Sequence, residues 1–129
     1  MNIINKLVMF HVAVNEMDKM KEFYEGTLGC KATIDKAYGD QRWVSIELPG
    51  GGTSINLTTV HENMKPGTLK LYLSSPDVGA AYAELTSKGV KPTKELANDW
   101  GKWNGVKDET GKWFEVSDPD GNRLLIIPT

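Results

Sequence analysis

Apolar and polar positions along the chain change period in a set order. From Leu7 to Val14 the pattern is that of a strand, after which Met17, Met20, Phe23, Tyr24 and Leu28 fall on one face of a helix. Asn15 is placed to cap that helix and Gly29 to end it. The same order returns at Leu69 to Leu73, a strand, followed by a helix with Val78, Ala81, Tyr82 and Leu85 on its apolar face. Ser75 before Pro76 predicts the N-cap of this second helix, and Gly89 its end.

Beyond the helices the two halves echo each other residue by residue. Gly29-Cys30-Lys31-Ala32-Thr33 answers Gly89-Val90-Lys91-Pro92-Thr93, and Arg42-Trp43 answers Lys112-Trp113. Pro49-Gly50 follows Trp43 at the distance at which Pro119-Asp120 follows Trp113, and a last strand closes each half, Thr53 to Thr59 and Arg123 to Ile127. The pattern predicts strand, helix and three strands, twice over: an α+β fold of two tandem βαβββ modules, about 5–60 and about 67–129, within a single domain. The halves differ in a longer stretch before the second tryptophan, which holds Asp99-Trp100-Gly101-Lys102-Trp103. Trp100 and Trp103 either close over a ligand or pin that loop to the body.

Strand side chains alternate between faces, so each strand divides into two sets. Val44, Ile46 and Leu48, Ile55 and Leu57, Leu69, Leu71 and Leu73, and Phe114 and Val116 form the aliphatic sets that the helices cover. Each such side chain contributes on the order of 2 kcal/mol when buried. The opposite sets hold Trp43, Ser45 and Glu47, Ser54, Asn56 and Thr58, Lys70, Tyr72 and Ser74, and Trp113, Glu115 and Ser117. Large rings are an unusual choice for a fully solvated sheet, and they point to curved sheets around a small-molecule cavity.

Composition and charge narrow the function classes. The chain has 129 residues, enough for one core, with 15 basic against 17 acidic residues and a net charge of −2. That balance offers no field for nucleic acid, and no basic block supplies one locally. No apolar run reaches the roughly 20 residues of a membrane span, and the first residues lack the apolar core of a secretion signal, so a cytoplasmic location is expected. Cys30 is the only cysteine, which rules out an internal disulfide and cysteine-based zinc motifs and leaves it as a small buried residue.

His11-Val12-Ala13-Val14, Phe23-Tyr24 with Leu28-Gly29, and Asp118-Pro119-Asp120-Gly121-Asn122 together resemble the signatures of the vicinal oxygen chelate superfamily, the glyoxalase and bleomycin-resistance group. The resemblance covers nearly the whole chain and implies the fold more strongly than the reaction. Metal-dependent relatives take ligands, usually histidine or glutamate, from the first and last strand of each module. Carried over by the equal separations of His11 from Asp18 and Lys70 from Asp77, those places are His11, Asn56, Lys70 and Leu125. Only the first is a competent donor, so no metal and no other cofactor is expected. A rearranged site of His11, Glu47 and Glu115 is the one alternative, and His61 is placed in an exposed linker.

Two functions follow from these residues. The first is a metal-independent protein that binds or sequesters a small molecule: Trp43, Tyr72, Trp113, Trp100 and Trp103 clamp it, Lys70 pairs with an anionic group or polarises a carbonyl, and His11, Ser45, Asn56 and Glu115 add polar contacts. The second is a lyase, isomerase or dioxygenase, with a metal or with His11 or Glu47 as general base and Lys70 as electrophile. The resemblance also implies a homodimer, since sheet edges need covering.

Overall fold

The computed structural model describes residues 3–100 and 111–129. It divides into two compact units, Met1–Gly67 and Thr68–Thr129. Each is one strand, one helix and three further strands. In the first unit these are β1 (Met9–Ala13), α1 (Met17–Glu22), β2 (Lys31–Tyr38), β3 (Gln41–Glu47) and β4 (Ser54–Thr58). In the second they are β5 (Lys70–Ser75), α2 (Val78–Ser87), β6 (Lys94–Ala97), β7 (Trp113–Ser117) and β8 (Arg123–Pro128). Each unit folds its strands into one four-stranded sheet, in the orders β1-β4-β3-β2 and β5-β8-β7-β6. In both, the first strand pairs parallel with the last and the remaining pairs are antiparallel.

Most of the aliphatic sets form the core as their alternation predicts, while Leu48, Leu69, Leu71 and Leu73 are only half-buried. Val44, Ile46, Ile55 and Leu57 are buried beneath Met17, Met20 and Tyr24 in the first unit. Phe114, Val116, Leu124 and Ile126 are buried with Val78 and Leu85 in the second, where the Tyr82 ring meets Phe114 edge-on at 5.2 Å. Cys30 is buried, and burial pushes its thiol pKa up, away from the reactive thiolate.

The helix starts differ from the sequence expectation in a consistent way. Glu16, not Asn15, holds the N-cap position of α1, with no side-chain cap. The last turn of that helix widens over Phe23–Thr27 before Gly29 turns the chain at φ +76°. Asp77, not Ser75, caps α2: its carboxylate accepts from the Ala80 N–H at 3.0 Å, while the Ser75 hydroxyl accepts from the Asp77 N–H at 3.2 Å. An aspartate here also faces the positive end of the helix, which a serine would do without charge.

The Asp118-Pro119-Asp120-Gly121-Asn122 stretch is a fastener rather than a chemical site. Buried Asp118 accepts from the N–H groups of Asp120 and Asn122 and from the Asn122 amide, at 3.1, 2.9 and 2.8 Å. Asn122 in turn accepts from the Leu69 N–H at 3.0 Å and so fixes where β8 meets β5. The first unit does the same job with Thr53, whose hydroxyl donates to the Leu7 carbonyl at 2.8 Å.

Candidate functional site

Strand register gives the equivalence between the two sheets directly. Ser45 pairs with Asn56 and Asn56 with His11; Glu115 pairs with Leu125 and Leu125 with Tyr72. With Trp43 matched to Trp113, Tyr72 therefore holds the position of His11, and Lys70 that of Met9. The helices agree, because Met17 and Val78 begin α1 and α2 at the same separation from His11 and Tyr72. The sequence expectation that Lys70 answers His11 is corrected. It came from matching Asp18 to Asp77, but Asp77 is a cap and Asp18 lies inside the first turn.

The corrected quartet for a family-type metal site is His11, Asn56, Tyr72 and Leu125. A leucine offers no donor, tyrosine is not among the ligand types such sites use, and the Asn56 amide is already hydrogen-bonded on both sides. The residues present do not fit a divalent ion. Among the described residues no three His, Cys, Asp or Glu side chains group as a metal site would require. The alternative of His11, Glu47 and Glu115 fails on Glu115, whose carboxylate is engaged in its own sheet.

On the first sheet, His11, Asn56 and Ser45 form one hydrogen-bonded row. The Ser45 hydroxyl donates to Asn56 Oδ1 at 3.2 Å, and Asn56 Nδ2 lies 2.8 Å from His11 Nδ1. In this orientation the amide donates to Nδ1, an arrangement that goes with the imidazole tautomer protonated on Nε2. Ser45 and Asn56 are buried and already satisfied by each other. Trp43 on the same face is 45% exposed, and Glu47 is exposed at the end of β3. His61 is half-buried, its Nε2 2.9 Å from the Val14 carbonyl, so it fastens the linker rather than lying free in solvent.

The second sheet carries a cavity of about 310 Å³. Its walls are the rings of Tyr72, Trp100 and Trp113, its remaining apolar surface is Leu125, and its charged groups are Lys70, Lys94 and Arg123. The Trp113 indole N–H donates to Asp99 at 2.7 Å, which fixes that ring, and Tyr72 stands 6.1 Å from Trp100 between centroids. The Lys70 ammonium lies 5.4 Å from the centre of the Tyr72 ring.

Glu115 sits under this cavity at 3% exposure and is not part of its lining, which corrects its assignment as a ligand contact. Arg123 donates to its Oε1 from Nε at 2.9 Å and stands 2.8 Å away through Nη2; the Thr93 hydroxyl donates to Oε2 at 2.6 Å. Burial alone would raise the carboxyl pKa, but the Thr93 hydrogen bond, Arg123 and Lys94 together hold it below its ordinary value. Its role is to anchor Arg123.

Of the residues chosen from the sequence, the structure brings together Tyr72, Trp100, Trp113 and Lys70 at one cavity, and His11, Asn56 and Ser45 in one row. Trp103 lies outside the described residues. Lys94, Arg123 and Leu125 were missed as cavity groups. Parity along Arg123, Leu125 and Ile127 was the available signal for two of them; Lys94 lies on a short strand with a bulged register, where parity fails.

Comparison with known proteins agrees with this architecture. The family model for the glyoxalase/bleomycin resistance protein/dioxygenase superfamily matches residues 4–126. The chain is similar to TnmS3, an antibiotic binding protein from Streptomyces sp. CB03234, at 30% identity over 100% of both chains and a TM-score of 0.82. It is similar to a glyoxalase/bleomycin resistance protein from the same Streptomyces, at 30% identity over 95% of this chain and 99% of that one, TM-score 0.75. A superfamily member from Sphaerobacter thermophilus matches at 26% identity over 99% and 100%, TM-score 0.79. A search of curated proteins found no match. The two-module register and the match over nearly the whole length place the chain in one family: it belongs to the glyoxalase/bleomycin resistance protein/dioxygenase superfamily.

Proposed function

We propose that this chain is a metal-independent protein that binds or sequesters a small molecule, and that the ligand lies in the cavity of the second module. The observation that carries this reading is the cavity of about 310 Å³ walled by Tyr72, Trp100 and Trp113. Three rings offer stacking area, a volume at the lower end of the small-molecule range suits a compact ligand, and Trp113 is fixed in place by Asp99. A 30%-identical relative described as antibiotic binding supports the same class of function.

The chain acts in the cytoplasm as a homodimer under this reading. No helix among the described residues is long and apolar enough to cross a membrane. Ile3 and Ile4, which precede the edge strand β1 in the sequence, are 80% and 87% exposed, apolar side chains that a second copy would cover.

Tryptophan fluorescence titrated with a panel of compact aromatic compounds tests the proposal. Saturable quenching is expected, weakened at least tenfold by Trp113→Ala with the fold retained by circular dichroism. Quenching that survives Trp113→Ala unchanged would place the ligand elsewhere and overturn the assignment of the cavity.

A further inference from the structure

We infer that the cavity of the second module selects anionic aromatic molecules, flat ring systems carrying a carboxylate, sulfonate or ionised phenol. This rests on the proposed binding function and adds the charge of the ligand. All three ionisable groups at the cavity wall other than tyrosine are basic: Lys70, Lys94 and Arg123. That bias is local, because the chain as a whole carries a net charge of −2.

The three cations are not equivalent. Arg123 is neutralised by Glu115 beneath the cavity, at 2.8 and 2.9 Å, which leaves Lys70 and Lys94. Elsewhere on the molecule several cations sit on acids, Lys21 on Asp35, Arg42 on Asp35 and Asp18, Lys88 on Glu84, and other lysines such as Lys31, Lys36 and Lys91 are exposed in open solvent rather than at a cavity wall. Among the described residues Lys70 and Lys94 have no carboxylate at ion-pair distance. Lys70 leans over the Tyr72 ring instead, at 5.4 Å, so its ammonium stands beside an aromatic wall. Two carboxylates beside the cavity are engaged by protein groups, Glu115 by Arg123 and Thr93 and Asp99 by the Trp113 indole. A flat anion stacked on Tyr72 and Trp113 would bring its charge to the two ammonium groups at the cavity wall.

Calorimetric titration of the full chain with three matched probes tests this: 2-naphthoate, 2-naphthamide and 2-naphthylmethylammonium. 2-Naphthoate is expected to bind at least tenfold more tightly than the amide, and the ammonium more weakly than either. Lys70→Met together with Lys94→Met should weaken 2-naphthoate and close the gap between acid and amide to less than threefold; both positions are exposed strand sites, and circular dichroism checks the fold. Equal binding of acid and amide to the unaltered chain would overturn the charge inference and leave the cavity reading standing. Binding of none of the three, with tryptophan emission unchanged, would overturn both.

Discussion

The two modules share a scaffold and differ in what their polar faces do. Strand order, parallel pairing of first and last strands, and the tryptophan at the start of β3 and β7 are common to both. On the first sheet the central positions are Ser45, Asn56 and His11, a row of small neutral groups that hydrogen-bond one another. The same positions on the second sheet are Glu115, Leu125 and Tyr72, a buried acid, an aliphatic floor and a ring wall. One face satisfies itself, and the other presents rings and two ammonium groups with no carboxylate at ion-pair distance among the described residues. A duplicated fold thus keeps its hydrophobic register, where a one-residue slip would invert every side chain, and diverges where alternation points away from the core.

The comparison is sharpest at the fasteners. Asn122→Ala removes a buried amide that holds Asp118 and the Leu69 N–H, and leaves the Asp118 carboxylate short of a donor. Urea unfolding should show a loss of about 3 kcal/mol. Thr53→Ala, at the equivalent position, removes one exposed hydrogen bond and should cost under about 1 kcal/mol. Equal costs would mean that the modules are fastened alike despite their different corners.

Much of this architecture was legible in the sequence because it rests on period and on glycine. Strand alternation placed Val44, Ile46, Phe114 and Val116 in the core and Trp43, Tyr72 and Trp113 on the other face. Gly29 and Gly89, both at positive φ, ended the helices as read. The cavity's charge was legible only in part: Lys70 reads as a partner for an anion, whereas Lys94 and Arg123 join it through which residues meet across strands. Lys70 was given the place of a metal ligand through two aspartates that are not equivalent, and Arg123 was passed over although its parity matched Leu125. Glu115 shared a face with the rings, yet parity carries no depth: it cannot tell a lining carboxylate from one buried beneath and tied to Arg123.

That buried pair sets the second prediction. Arg123→Met would leave the Glu115 carboxylate with Thr93 as its direct hydrogen-bond partner, and should destabilise the chain by about 2 kcal/mol at neutral pH. The value lies below that for a wholly buried pair because the Arg123 side chain is 46% exposed. The sign of the pH dependence follows from the lowered pKa of Glu115. Its stabilisation is fully present above the ordinary value of 4.5 and is lost as pH falls through the lower folded value. Glu115→Gln should therefore flatten the stability profile in that acid window, read by urea midpoints at stepped pH. Ser45→Ala at the matching position of the first sheet should leave the slope unchanged, since it carries no charge.

The smallest expected effect concerns the neutral row itself. If Asn56 donates to His11 Nδ1, the ring proton of the neutral imidazole sits on Nε2, and nitrogen-15 correlation spectra above the histidine titration should show that tautomer for His11. Asn56→Leu, which installs the residue type that Leu125 provides on the second sheet, removes the donor and frees Ser45. The expected cost is about 1 kcal/mol, because a neutral hydrogen-bonded group replaced by an aliphatic one of similar size loses its bonds but also its desolvation. The tautomer signature should weaken in the same variant. A His11 ring protonated on Nδ1 in the unaltered chain would reverse the amide and turn His11 into an acceptor at Nε2. The first module would then hold a base on its face, and the contrast between a self-satisfied sheet and a guest-receiving one would fall.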